Sequence, residues 1–260
     1  MLNLPKFRIR CSQKGKIMGG SVGLSESQER ELNKLQDKLD KGGNLTGLQV
    51  IKHAKLTGIE AYPEPTTGMK SYCKKWMSEQ VYKRKKDVHS KYLDKGNFCE
   101  EWSIEFTNKY LLENNKKNEE YREDEFMCGT ADVVNGGIDD IKNSYDTTTF
   151  PLFEEEIPNK DYEYQLNGYM HLWNKKTARL IYTLNDLPGH LIEKEARQMS
   201  YRNGGSWEDY FTACKEHFTY DDIPAEYKIK IFHLEYNKDL IEEVQERVLL
   251  CREYIKKLGE

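Results

Sequence analysis

The segment Gly129–Lys142, GTADVVNGGIDDIK, decides how the chain is read. Asn135-Gly136-Gly137 lies between two short runs rich in β-branched residues, and such loops are strong turn signals because they tolerate positive φ. A three-residue loop ending in a left-handed glycine pairs Val134 with Ile138, Val133 with Asp139 and Asp132 with Asp140. Opposed side chains carry Cβ atoms about 4.5–5.5 Å apart. Alternation along the strand puts Lys142 on the face of Asp140 and sends Asp139 to the opposite face. The spacing therefore predicts a hairpin that gathers Asp132, Asp140 and Lys142 on one face. A two-residue loop would change the pairing.

Two opposed carboxylates repel each other unless a cation lies between them. A hard divalent ion, Mg²⁺ or Mn²⁺, suits oxygen ligands and resolves the conflict. Lys142 would then orient or activate a water, or stabilise charge developing on a phosphate, which is the equipment for metal-assisted phosphodiester hydrolysis. An exposed hairpin with ordinary surface charges is the simpler reading of these residues in isolation, because Asp-x-Lys recurs by chance in a chain that is 32% charged.

The bulk properties fit such a role. The chain has 260 residues, room for one large α/β domain or a domain with a substantial appendage. Hydrophobic content of 37% and a mean hydropathy of −0.86 describe a soluble protein. No apolar run approaches the roughly 18–20 residues needed to cross a bilayer. The opening MLNLPKFRIRCSQKGK lacks the apolar core of a secretory signal, so a cytoplasmic protein without a membrane partner is expected. The six cysteines, Cys11, Cys73, Cys99, Cys128, Cys214 and Cys251, form no C-x-x-C pair and read as free, mostly structural thiols.

Charge is unevenly spread. Lys70 to Lys95 holds nine cations against three carboxylates, a local +6 in a chain of −4, leaving about −10 elsewhere. The run Lys83, Arg84, Lys85 and Lys86 reads either as a solvated helix face or as a stripe that tracks a phosphate backbone. Trp76 and Trp102 suit base stacking or, more simply, core packing.

Along the chain, FRIRCS predicts a short strand and QKGK a turn. Ser25 with Gln28, and Thr46 with Gln49, are capping boxes that open two helices, closed by Gly42-Gly43 and by Gly58. A third helix, about Met69 to Lys86, carries the basic stripe, and a fourth begins or is interrupted near Gly96. NNKKNEEYREDE reads as a polar connector. After the hairpin come a helix at DYEYQLNGYMHLWN, a strand at ARLIYTLND, mainly helix beyond Pro188, a strand at YKIKIFHLEY and a closing helix from about Lys238 to Leu258. Helical spacing puts Gln165 and Tyr169 on one face. Glu100 lies four residues beyond Gly96, where it would complete a metal shell, with Glu101 as the rival.

In this order, GNFCE (Gly96 to Glu100), GTAD (Gly129 to Asp132), DIK (Asp140 to Lys142) and QLNGY (Gln165 to Tyr169) resemble the PD-(D/E)XK nuclease superfamily, more narrowly its RecB-like and lambda-exonuclease-like branches. Each motif is weak and the ordered set is fairly specific, over about Gly96 to Asp186. The resemblance implies an α/β, restriction-endonuclease-like core with a central mixed β-sheet flanked by helices, plus helical N- and C-terminal extensions. It divides the chain into 1–95, an extension with the basic helix; 96–186, the nuclease core; and 187–260, a mainly helical extension packed on that core, the whole expected to form one compact unit.

Carried over by residue, the resemblance makes Asp132, Asp140, the carbonyl of Ile141 and, directly or through water, Glu100 ligands of Mg²⁺ or Mn²⁺. Lys142 assists the attacking water, and Gln165 and Tyr169 steady the lysine or touch the DNA backbone. Asp140 stands where many relatives carry Glu. Relatives with an iron–sulfur cluster hold it with flanking cysteines; Cys214 and Cys251 alone follow this core, so no cluster is expected. No GxxxxGK[ST] phosphate loop is present, so no ATP motor is visible. A stand-alone phage-type recombination exonuclease acting on DNA with free ends fits best. A homo-oligomeric ring and a single-strand annealing or recombination partner go with that resemblance. The rivals are a structure-specific endonuclease on the same core and a non-catalytic nucleic-acid or protein-binding module.

Overall fold

The computed structural model describes residues 4–61, 63–86 and 89–260. The chain groups into two compact units. One comprises Met1–Ile9, Gln13–Lys85 and Glu242–Glu260; the other comprises Arg10–Ser12 and Lys86–Ile241. This grouping is discontinuous, unlike the contiguous ranges 1–95, 96–186 and 187–260. Residues 187–218 group with the sheet because Leu187, Leu191, Ile192, Ala196, Cys214 and Phe218 bury themselves around Tyr145. None of the helices among the described residues is long and apolar enough to cross a membrane.

The chain opens with β1 (Ile9–Arg10) and a 3-10 turn (Cys11–Gln13), whose residues Arg10–Ser12 group with the second unit; the first unit continues with α1 (Gly15–Met18), a short helix where QKGK predicted a turn. Then follow α2 (Glu26–Asp40), α3 (Gly47–Ala61) and α4 (Thr67–Tyr82). The Ser25–Gln28 capping box forms as expected, its side chain and backbone groups satisfying each other, and Thr46 and Gln49 do the same for α3. Gly58 does not end α3, which runs on to Ala61. A lone glycine costs a helix only about 1 kcal/mol, too little to stop one. Nor does α4 reach Lys86: Lys83 takes a left-handed conformation (φ 52°), so the four-residue basic run lies outside the helix. Leu24, Leu32 and Leu56 form one buried cluster. Arg247 of the closing helix donates to the carbonyls of Ile17 and Gly20, both at 2.9 Å.

The second unit is an α/β layer. It begins with α5 (Lys91–Leu111), then β2 (Arg122–Glu123), inside the segment NNKKNEEYREDE that reads as a connector, and β3 (Met127–Gly129) just after it, an antiparallel pair. Then come β4 (Val133–Val134), β5 (Ile138–Asn143), α6 (Lys160–Trp173), β6 (Thr177–Thr183), α7 (Gly189–Asn203), α8 (Trp207–Phe218), a 3-10 turn (Ala225–Tyr227) and β7 (Ile229–Glu235); the closing helix α9 (Lys238–Gly259) groups with the first unit from Glu242 on. The sheet runs β4-β5-β6-β7 and is mixed: β5 and β6 are parallel with α6 as their crossover, and the two outer pairings are antiparallel. β6 is central and almost wholly buried, hence its apolar stretch Leu180-Ile181-Tyr182. All six cysteines are buried thiols, none in a disulfide.

The hairpin pairs in the expected register, Val133 with Asp139 and Val134 with Ile138. The loop is not closed by a left-handed glycine, since neither Gly136 nor Gly137 has positive φ. Instead the Asn135 side chain accepts the Gly137 N–H at 2.8 Å. Gly137 is needed for room: a Cβ there would stand 2.7 Å from the Thr177 carbonyl oxygen.

On the face opposite Asp140, buried Asp139 is clamped by Arg179, Nε to Oδ1 and Nη2 to Oδ2, both at 2.7 Å, and Arg179 also grips Glu113. Removing the guanidinium leaves Asp139 with the Asn135 amide as its remaining side-chain partner. Arg179→Met should cost roughly 3 kcal/mol in chemical denaturation, the scale for breaking a buried pair. Lys194→Met, which breaks an exposed 3.4 Å pair with Asp94, should stay within about 1 kcal/mol.

Candidate active site

The site grows from the short length of β4. Its ladder with β5 ends at Val133, and the Asp132 side chain takes the ladder's place, Oδ2 accepting the Ile141 N–H at 2.8 Å. The edge of β5 from Ile141 to Asn143 therefore opens onto a cleft of about 510 Å³. Gly96, Asn97 and Glu100 of α5 line one side, with Tyr162 of α6 and Tyr182 of β6 also in the wall.

Asp140 is fully buried at 0% exposure. Its Oδ1 accepts from Gln165 Nε2 at 2.8 Å. Its Oδ2 meets the Lys142 ammonium at 2.6 Å, an ion pair without a well-aligned hydrogen bond. Burial, then the charge of Asp140, pushes the Asp132 carboxyl up to about 7, although Lys142 and the Ile141 N–H pull the other way. Burial works against the Lys142 ammonium, but Asp140 and Asp132 outweigh it and hold its pKa well above the usual lysine range. One lysine thus serves two carboxylates that would otherwise repel.

The structure brings Asp132, Asp140 and Lys142 together as the register predicted. Gln165 and Tyr169 are buried, at 8% and 4% exposure, rather than facing a DNA backbone. Gln165 grips Asp140, not Lys142, and also donates to the Tyr169 hydroxyl at 3.3 Å. Glu100 reaches the cleft, but its Oε2 is held by Lys117 at 2.6 Å; Glu101, its rival, is exposed on α5. Lys83, Arg84, Lys85 and Lys86 are exposed. Trp76 packs edge-on against Phe7, while Trp102 is 43% exposed beside Phe98.

The oxygen donors that could hold a divalent cation are the carboxylates of Asp132 and Asp140 and the Ile141 carbonyl. They are hard ligands, and Oδ2 of Asp140 lacks a hydrogen-bond donor, so the set fits Mg²⁺ or Mn²⁺ in kind. Among the described residues no three His, Cys, Asp or Glu side chains are already gathered as a metal cluster. Lys117 draws Glu100 out of that set.

Three supporting residues escaped the sequence reading. Lys117 lay in the supposed connector. Tyr162 had a signal, three residues before Gln165 on one helix face. Lys95 had none: it is fully buried, its ammonium donating to the carbonyls of Ser144, Tyr145 and Asn185. Burial lowers its pKa to about 8. On the same helix Ser103 Oγ accepts from Asn143, Thr183 and Asn185, each at 2.9 Å. The inner face of α5 thereby ties down the ends of β5 and β6.

No protein-family model matches the chain, and no curated protein sequence matches it. Its likeness is structural. A phage-related exonuclease from Haemophilus somnus 129PT superposes with a TM-score of 0.70 at 23% identity, over 98% of this chain and 96% of that one. The alkaline exonuclease LHK-Exo from Laribacter hongkongensis gives 0.55 at 10% identity, over 97% and 91%. LHK-Exo in complex with dAMP also gives 0.55 at 10%, over 96% and 91%. The chain shares its fold with these two exonucleases.

The support beneath Asp140 can be probed from behind. A Cβ on Gly129 would lie 2.8 Å from Tyr169 Cε1 and 3.3 Å from Cys11 Cβ. Gly129→Ala should destabilise the protein by about 1–3 kcal/mol, as overpacking does, and displace the Tyr169 ring, read by denaturation and by the tyrosine's NMR signals.

Proposed function

We propose that the chain is a divalent-metal-dependent deoxyribonuclease that hydrolyses phosphodiester bonds from DNA ends, of the phage recombination or DNA-processing type. The observation that carries this reading is the pairing of Asp132, Asp140 and Lys142 at an open strand edge inside a cleft. The shared fold with exonucleases supports it, and the dAMP complex of LHK-Exo shows a nucleotide on a protein of this fold.

In this reading Asp132, Asp140 and the Ile141 carbonyl would hold Mg²⁺ or Mn²⁺, and Glu100, now paired with Lys117, would add to that set directly or through water. The bound ion supplies Lewis-acid polarisation of the phosphate and a more acidic water. Lys142 donates to the attacking water or to the phosphate oxygen on which charge builds. Gln165 fixes the orientation of the Asp140 carboxylate, and Tyr169 backs Gln165. Water adds to phosphorus, the bond from phosphorus to the leaving oxygen breaks, and the proton released by the water is taken up by the leaving oxygen or solvent. The exposed run Lys83, Arg84, Lys85 and Lys86 tracks the DNA backbone through charge.

The test compares wild type with Lys142→Ala on end-labelled linear DNA and covalently closed circles, with Mg²⁺, with Mn²⁺ and with chelator. Loss of linear DNA alone, dependent on metal and reduced at least about 100-fold by the substitution, is the expected result. Cutting of closed circles would replace an exonuclease with an endonuclease. Retained DNA binding with no cleavage under any cation would leave a binding module. A second comparison concerns the basic run: neutralising Lys83, Arg84, Lys85 and Lys86 together should weaken DNA binding and flatten its dependence on salt by about three to four counterions, seen in titrations at several salt concentrations.

A further inference from the structure

Lys142 has a second neighbour in the cleft. Its ammonium lies over the ring of Tyr162, 5.4 Å from the centroid. Tyr162 stands in the first turn of α6, where spacings of three and seven residues put it on the face that carries Gln165 and Tyr169. The ring meets Tyr182 edge-on, centroids 6.3 Å apart at 86°. Tyr182 in turn packs edge-on against Phe232. Tyr162 is therefore braced by the sheet, and both tyrosines line the cleft.

The two oxygens of Asp140 differ in what they can give up. Oδ1 is held by the Gln165 amide at 2.8 Å, whereas Oδ2 meets only the Lys142 ammonium among the described side chains. A second cation arriving at Oδ2 would compete with Lys142 for the same oxygen and repel it. A lysine stem has four rotatable carbons, and an ammonium set loose on it would sample the whole cleft. An aromatic face attracts cations through its quadrupole without claiming a negative charge.

We infer that Tyr162 is a positioning residue for Lys142, its ring holding the ammonium in the cleft when Asp140 turns Oδ2 to another cation. The consequence for rate rests on the nuclease reading, because aiming the ammonium matters only where it acts on a phosphate. The contact itself does not rest on that reading.

The experiment uses the full chain with Tyr162→Leu and Tyr162→Phe. Steady-state cleavage of linear DNA with Mg²⁺ is paired with NMR of the ¹⁵N-lysine-labelled protein, with Mg²⁺ and without DNA. Lys142 is assigned by the signal that Lys142→Ala removes. Tyr162→Leu should lower kcat by roughly 2- to 30-fold, the range of a cation–π contact, with KM nearly unchanged, and Tyr162→Phe should recover most of the loss. The Lys142 ammonium signal should persist in wild type and Tyr162→Phe and vanish through solvent exchange in Tyr162→Leu. A rise in KM at constant kcat, or equal impairment of both variants, overturns the inference. Wild type that cleaves no DNA would sink the nuclease reading alone. The ammonium signal would still decide: its loss in Tyr162→Leu upholds the contact and its survival overturns it. Tyr162→Met takes the place of Tyr162→Leu if the latter does not fold.

Discussion

The site depends on two carboxylates that the hairpin register forces toward one another. Because β4 is two residues long, the ladder runs out where Asp132 begins, and its carboxylate replaces a backbone acceptor by taking the Ile141 N–H. Asp140, next along β5, is fully buried and cannot retreat into solvent. A buried pair of like charges is tolerated only with a compensating cation. Lys142 supplies it in the protein alone, and its cost in desolvation marks the arrangement as one that packing by itself would not favour.

Two helices hold that conflict in place from different directions. α6 presents Tyr162, Gln165 and Tyr169 on one face, each reaching the next or reaching the charged cluster. α5 works through its inner face, where Lys95 spans carbonyls at the ends of β5 and β6 and Ser103 collects three donors. The same helix carries Glu100 to the cleft. Fixing α5 to the strand ends thus sets the distance between Glu100 and Asp140 of β5. Asp139, one residue from the site, belongs to the structural side of the sheet, where Arg179 neutralises it.

Legibility in the sequence followed from how local each signal was. The hairpin register could be read because side chains alternate with a period of two and the turn was marked by Asn135-Gly136-Gly137. The turn's mechanism could not: an Asn side chain closed it, and Gly137 answered to the approach of Thr177, a contact 40 residues away. Capping boxes at Ser25 and Thr46 were local and held. Helix ends at Gly58 and Lys86 failed, since a single glycine is a weak stop and Lys83 turned left-handed against its residue type. β2 was hidden in a polar segment, and β2 and β3 are each too short for periodicity to show. Within the site, Asp132, Asp140 and Lys142 followed from register, whereas Lys95, Lys117 and the grip of Gln165 on Asp140 are tertiary facts with no local trace.

The most direct measurement of the central claim is a titration of Mn²⁺ followed by electron paramagnetic resonance, with wild type, Asp132→Asn and Asp140→Asn. If the two opposed carboxylates form a cation site, wild type removes at least one equivalent of Mn²⁺ from the free signal and either substitution weakens that binding by about tenfold or more. Wild type that leaves the free Mn²⁺ signal untouched, or variants that bind it as well as wild type does, would contradict the account.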